Sequence, residues 1–164
     1  MEDIFIRRAT SEDADAISKV LRASAEAKLS HEFTEEGAKL FEQLSSTEAQ
    51  AEMLNSERFI YWVAESEGRI LGLLSVSNKT HVFHFFVLPD ELGKGIGRKL
   101  WQAYVDFLLE QHAFNELVKI TVNASGYAVP IYKHLGFVID KPQYLKQGLY
   151  ITPMSQYLWC LQEQ

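Results

Sequence analysis

Gly93, Gly95 and Gly97 alternate in the run Leu92-Gly93-Lys94-Gly95-Ile96-Gly97-Arg98-Lys99, with three cations standing among them. Glycine reaches backbone conformations that other residues avoid, and it leaves no side chain to block an approaching ligand. A strand-like run precedes these residues and an amphipathic one follows, so they form the turn between a strand and a helix. The first turn of a helix leaves amide N–H groups without carbonyl partners, at the positive end of the helix dipole. A phosphate or pyrophosphate is the natural occupant of such a place. Lys94, Arg98 and Lys99 add positive charge locally, in a chain whose formal net charge is -6.

Two other phosphate-binding patterns fit worse. The dinucleotide fingerprint needs a glycine where Arg98 stands, and the P-loop needs Gly-Lys-Ser/Thr where this chain has Gly97-Arg98-Lys99. A plain strand-to-helix turn requires neither the alternation nor the cations.

The elements around the turn can be read from patterning. Ile4-Phe5-Ile6 is a first strand, and Thr10 with Asp13 offers a helix N-cap and an acidic residue at capping-box spacing. Ala14, Ile17, Leu21 and Ala25 then keep helical spacing. A second, looser helical region runs from about Phe33 to Leu54, broken near Ser45-Ser46. Phe59 to Ala64 and Ile70 to Val76 flank the turn Glu67-Gly68 as a β-hairpin. A strand from about His81 to Leu88 stops at Pro89 and leads into the glycine turn. Ile96, Leu100, Ala103, Tyr104, Phe107 and Leu108 form one apolar face of the clearest helix. Leu117 to Val122 is a strand, Ala128 to Leu135 a short helix ended by Gly136. The tail alternates strands and turns: Phe137 to Ile139, Leu149 to Ile151, Tyr157 to Leu161.

This order describes one mixed α/β domain without repeats or linkers. Hydrophobic residues make up 47% and charged residues 23% of the 164, an ordinary globular balance. The acidic balance argues against nucleic acid as a partner. No stretch is long and apolar enough to span a membrane, and Met1-Glu2-Asp3 opens no signal-peptide pattern, so a cytoplasmic protein is the expectation. The single cysteine, Cys160, sits in an apolar stretch and reads as a small core residue.

Val87-Leu88-Pro89-Asp90-Glu91-Leu92-Gly93-Lys94-Gly95-Ile96-Gly97-Arg98-Lys99-Leu100 resembles the central motif of the GNAT superfamily of acyl-CoA N-acyltransferases. Asn123-Ala124-Ser125 and Ile131-Tyr132-Lys133-His134-Leu135-Gly136-Phe137 resemble that family's next two landmarks, in the right order. The resemblance implies a single α/β (α+β) domain over residues 1–164, with a largely antiparallel mixed sheet flanked by helices. It also implies an N-acetyltransferase that uses acetyl-CoA and no metal, acting on a primary amine by direct attack in a ternary complex. The cosubstrate would be held by the backbone of Leu92, Gly93, Lys94, Gly95, Ile96, Gly97 and Arg98. Phe86, Val87 and Leu88 would supply strand amides, one of them to the oxyanion, because in this family that strand bulges and splays from its neighbour. Asn123 and Tyr132 would complete the set. Leu92 departs from the Gln or Arg usual there, which implies a modest loss of affinity.

Acetyl transfer requires an amine stripped of its proton, since an alkylammonium with pKa near ~10.4 has no lone pair. It also requires a donor for the oxyanion, and the departing thiolate can use a proton. Tyr132 resembles the family's proton donor to the thioester sulfur; its spacing with Ala128 and Leu135 equally suits a core tyrosine. His84 is a candidate base, with His81, Glu65 and Glu26 as alternatives, and a histidine among Phe83, Phe85 and Phe86 equally suits a sheet interior. Asn123 reads either as a pantetheine contact or as a strand-end cap.

Glu26, His31, Glu32, Glu35 and Glu36 lie where the family's acceptor pocket is bordered, and carboxylates there suit a cationic amine; a solvated helix face is the plainer reading. Gly148 to Met154 resembles acceptor-side segments of some relatives. The acceptor class is a small-molecule or peptide amine, and the protein a monomer or homodimer. A non-catalytic acyl-CoA sensor is the alternative, because fold does not dictate function.

Overall fold

The computed structural model describes residues 3–113 and 115–160. β1 (Phe5–Arg8) leads through a short 3₁₀ turn into α1 (Ala14–Lys28). There the Asp13 carboxylate accepts from the Thr10 amide at 2.8 Å, as the capping-box spacing predicts. The second helical region divides at Ser45-Ser46 into α2 (Glu35–Leu44) and α3 (Thr47–Leu54), with Ser46 capping α3 through the Ala49 amide. β2 (Phe59–Ser66) and β3 (Arg69–Ser77) form the hairpin, and β4 (His81–Val87) follows. α4 (Ile96–Gln111), β5 (Glu116–Ala124) and α5 (Val129–His134) come next, then β6 (Val138–Ile139), β7 (Tyr144–Lys146) and β8 (Leu149–Cys160).

The strands make one eight-stranded sheet in the order β1-β2-β3-β4-β5-β8-β6, with β7 on β8. Every pairing is antiparallel except β4 with β5. Helices cover both faces. On one, Ile96, Leu100, Tyr104 and Leu108 of α4 are fully buried with Trp62, Leu74 and Ile120. On the other, Ile17, Val20 and Leu21 of α1 pack on Tyr61, Val63 and Leu73. β3 is buried along nearly all its length because both faces are covered, which is why its sequence reads as a continuous apolar run.

The tail differs from its sequence reading. Leu149 to Ile151 and Tyr157 onward belong to one twelve-residue strand, β8, which passes through Pro153. Pro153 has no N–H to give, but its carbonyl accepts from Asp140, so its nitrogen faces the same side, at the end of the short β6 ladder. The pairing with β5 is thereby uninterrupted. β7 was not legible either. The predicted end at Leu161 lies outside the described residues. Cys160 is fully buried as expected, and burial with the nearby Glu116 pushes its thiol up.

Candidate active site

β4 and β5 are joined only at His81 with Thr121 and Val82 with Val122; beyond them the strands separate. The bulge that the resemblance implied is present. Ser75 faces His84 and Val76 faces Val82, so Phe83 is the extra residue. The Leu88 amide donates to the Leu71 carbonyl at 2.8 Å, which takes it out of play as a ligand donor. Alternation along an antiparallel strand turns the Val87 amide to the other side, toward the gap. The Val87 carbonyl lies there too, accepting from the Ser24 hydroxyl at 3.2 Å. Of the three predicted strand residues, Val87 is therefore the one whose amide faces the separation, while Phe86 contributes its ring.

The glycine turn meets the mouth of this gap. Gly93 and Gly95 have φ of 83° and 79°, and a Cβ at either would point into open space. Gly95 is the N-cap of α4, and the first intrahelical bond closes from the Lys99 amide to the Gly95 carbonyl. The amides of Ile96, Gly97 and Arg98 thus have no helical carbonyl to meet. A Cβ on Gly97 would lie 3.7 Å from the Phe85 ring, so the helix start sits close against β4. The Lys94 ammonium lies 2.7 Å from Glu91, which also takes Arg69 at 3.3 Å; the charge of Lys94 is matched inside the protein rather than kept for a ligand. Glycines without side chains, open helix amides and a parted pair of strands fit a chain-like molecule carrying a phosphate or pyrophosphate.

Tyr132 stands on α5 across the gap, its ring edge-on to Phe85 and Phe137 at centroid distances of 6.3 and 5.2 Å. It is buried yet lines the cavity, and that burial holds its phenol well above the usual range, protonated at any working pH. Asn123 lies within β5, one residue before its end. The capping role falls to Ser125, whose hydroxyl accepts from the Ala128 amide at 3.3 Å, while Asn123 lines the cavity.

The gap opens into a cavity of about 470 Å³ that runs through to the α1–α2 side of the sheet. His84 lines it from β4, 6% exposed, with Nε2 buried and without a hydrogen-bond partner. Burial alone pushes its pKa down to about 3, so the ring is neutral. His81 lines the cavity with its Nδ1 tied to the Thr121 hydroxyl at 2.7 Å, whereas Glu65 is held by Arg7 at 2.8 Å outside the lining. Glu26, His31, Glu35 and Glu36 are exposed and do not line the cavity, the solvated reading of that charge run. Glu32 is the exception: its carboxylate accepts from the amides of Gly126 and Tyr127 at 2.8 and 3.2 Å. Leu149, Tyr150 and Ile151 form another wall.

Sequence reasoning missed Phe33, Leu40, Phe41 and Leu44, which line the cavity from α2 and the loop before it. The signal was present as apolar residues on a helix too short and loose to have an evident buried face. The join between α2 and the β7–β8 turn was invisible. There Thr34 donates its hydroxyl to the Gly148 carbonyl at 2.7 Å, and Gly37 and Gly148 approach so closely that neither tolerates a Cβ.

A family model described as an acetyltransferase (GNAT) domain matches residues 29–158. The chain is 28% identical over 93 residues to N-acetyltransferase family 8 member 3 of Rattus norvegicus, covering 51% of this chain and 40% of the relative. It is 31% identical over 88 residues to the probable N-acetyltransferase camello of Xenopus tropicalis, covering 50% and 40%. The match thus spans less than half the length of these curated relatives. Among solved structures, a GCN5-related N-acetyltransferase from Rhodopseudomonas palustris aligns with TM-score 0.79 at 23% identity, over 96% of this chain and 98% of that one. The PaiA N-acetyltransferase from Thermoplasma acidophilum, in complex with coenzyme A, aligns with TM-score 0.78 at 15% identity, over 95% and 99%. At such identities these two structures speak for the fold.

Proposed function

The chain belongs to the GNAT acetyltransferase family, and we propose that it transfers an acetyl group from acetyl-CoA to a primary amine in a ternary complex. The observation that carries this reading is one continuous cavity joining the glycine turn, the gap beside Val87, Tyr132 and His84. Acetyl-CoA supplies an activated acetyl group as a thioester. The backbone of residues 92–98 would hold its pyrophosphate, and Asn123 would meet the arm that enters the gap.

The protein's own groups divide the rest of the work. The Val87 amide faces the gap, where it would donate to the developing oxyanion. Tyr132, protonated at working pH, would give its proton to the departing sulfur and recover one from solvent. His84, neutral and unpartnered, would accept an N–H of the amine and aim its lone pair. A full proton transfer from a solvated ammonium to so weak a base would be steeply uphill, by about 1.4 kcal/mol per pKa unit. The apolar cavity therefore carries the deprotonation: it disfavours the charged amine as it disfavours charged His84. Across the reaction one C–N bond forms as one C–S bond breaks; the nitrogen releases one proton to solvent, and solvent returns one to Tyr132 in place of the proton given to the sulfur.

The proposal includes no metal and no nucleic-acid partner, and the described residues contain no helix long and apolar enough to cross a membrane. A cytoplasmic setting, where acetyl-CoA is available, is part of the proposal. Thermal unfolding with acetyl-CoA, CoA, ATP and NAD tests it. A ligand at 100 times its dissociation constant adds about 2.7 kcal/mol, a rise of roughly 5–10 °C in a domain of this size. The expected result is stabilisation by acetyl-CoA and CoA alone, followed by amine-dependent thiol release. Stabilisation by ATP or NAD instead, or by none of the four, overturns the reading. Stabilisation without thiol release for any amine leaves an acyl-CoA-binding role.

A further inference from the structure

The α1–α2 end of the cavity is built of carbon. The rings of Phe33 and Phe41 stack at 5.2 Å, and Phe41 meets Phe86 edge-on at 6.4 Å. The row continues through His84, 6.0 Å from Phe86 and 4.4 Å from Phe83. Leu29, Leu40, Leu44 and Leu149 fill the wall around these rings. Among the described residues two carboxylates line the cavity, Glu32 and Glu91, and both are committed: Glu32 to two backbone amides, Glu91 to Arg69 and Lys94. The other charged side chains of the lining are cations, Lys28 and Lys146. A second ammonium on the acceptor would find no free carboxylate and two positive charges. Against this apolar wall stands one buried polar atom lacking a partner, His84 Nε2. A buried nitrogen of this kind costs free energy until a donor reaches it.

We infer that the acceptor is a monoamine with an apolar body, aromatic or branched aliphatic, seated against Phe33, Phe41 and Phe86 with its nitrogen at Nε2 of His84. This rests on the transferase reading for the fate of the nitrogen, but not for the seat itself. Polyamines and amino sugars are excluded as preferred acceptors, because their additional polar and charged groups would be desolvated without partners.

The test is calorimetric binding of 2-phenylethylamine, isoamylamine, spermidine and glucosamine to the CoA-loaded protein, beside turnover of the same four with acetyl-CoA. The expected result is binding and turnover of the first two at least tenfold better than the last two. Phe41→Ala should weaken 2-phenylethylamine about tenfold or more. Leu40→Glu, which places a carboxylate in a half-exposed part of the wall, should weaken the apolar amines and raise spermidine relative to them. Two variants guard against a folding defect in either. Preference for spermidine or glucosamine overturns the inference and leaves the transferase standing. Failure of both apolar amines to bind overturns it whatever the turnover. Their binding without turnover of any amine upholds the seat and removes the transferase reading.

Discussion

The carboxylate of Glu32 accepts a hydrogen bond from the amide of Gly126 at 2.8 Å, across 94 residues of chain. It thereby ties the loop between α1 and α2 to the segment that links β5, with Asn123, to α5, with Tyr132. Thr34 ties the same loop to the β7–β8 turn through Gly148. Three separate stretches of sequence close one side of the cavity through these few polar contacts.

Removing that carboxylate should loosen the acceptor side and spare the glycine turn. Glu32→Ala is expected to raise the KM for the amine several-fold and to lower stability by about 1–2 kcal/mol. The stabilisation by acetyl-CoA should change little. Steady-state kinetics with parallel melting curves check this; a loss confined to acetyl-CoA binding would contradict it.

Tyr132→Phe keeps the ring that packs on Phe85 and Phe137 and removes only the proton. We expect kcat to fall by about tenfold to a hundredfold, toward the low end for a general acid, since a thiolate leaves readily. The KM for acetyl-CoA and the melting temperature should stay near their starting values. An unaltered kcat would remove the phenol from the reaction.

His84 makes stability depend on pH in a stated direction. Its folded pKa, about 3, lies below the ordinary value of 6.5, so below pH 6.5 the unfolded chain binds a proton that the native protein refuses. The contribution is present above pH 6.5 and is lost as the pH falls toward 3, at up to about 1.4 kcal/mol per unit. Asp13 acts in the same sense at lower pH: its hydrogen bonds from Arg7 hold its pKa down, so its share is lost as it protonates. His84→Gln should flatten the curve between pH 6 and 4, roughly the window where the imidazole contributes and carboxylates contribute least. Denaturant titrations across that range would show it, and an unchanged slope would count against a neutral buried imidazole.

The glycine turn is sensitive to a single methyl group. At Gly95, where φ is 79°, alanine carries a left-handed strain of about 1–2 kcal/mol and sets a Cβ at the helix start. Gly95→Ala should therefore lower stability modestly and cut acetyl-CoA affinity more than tenfold. Leu92→Arg works in reverse. Leu92 is 44% exposed and lines the cavity mouth, so a guanidinium there should tighten acetyl-CoA several-fold, and less so at high salt. Calorimetric titration of both variants decides.

Much of this was legible in the sequence because it is local. The α4 face declared itself by helical spacing, the β2–β3 hairpin by its turn, and the glycine alternation by a backbone demand that side chains cannot meet. Tyr132 and Asn123 were legible because short motifs carry them, and both line the cavity. The limits were equally physical. Leu88 and Val87 are adjacent and alike in composition, yet the pairing with Leu71 uses one amide and turns the other to the gap. Pro153 reads as a break, and the twelve-residue β8 passes through it because its nitrogen faces the end of the short β6 while the ladder to β5 runs along the other side.

The sequence by itself determined the elements as far as α5, their order, and a turn with the features of a pyrophosphate site, since each depends on residues near one another along the chain; the strands of the tail it did not determine. The tertiary structure decided the character of the acceptor side. Glu32 could be taken for a substrate-binding carboxylate until its partners were seen to be backbone amides. Phe33, Phe41 and Phe86 become one wall, with His84 buried beside it, only when α2 folds over β4. Burial and partner identity are properties of space, and a carboxylate or an imidazole takes its chemistry from what surrounds it.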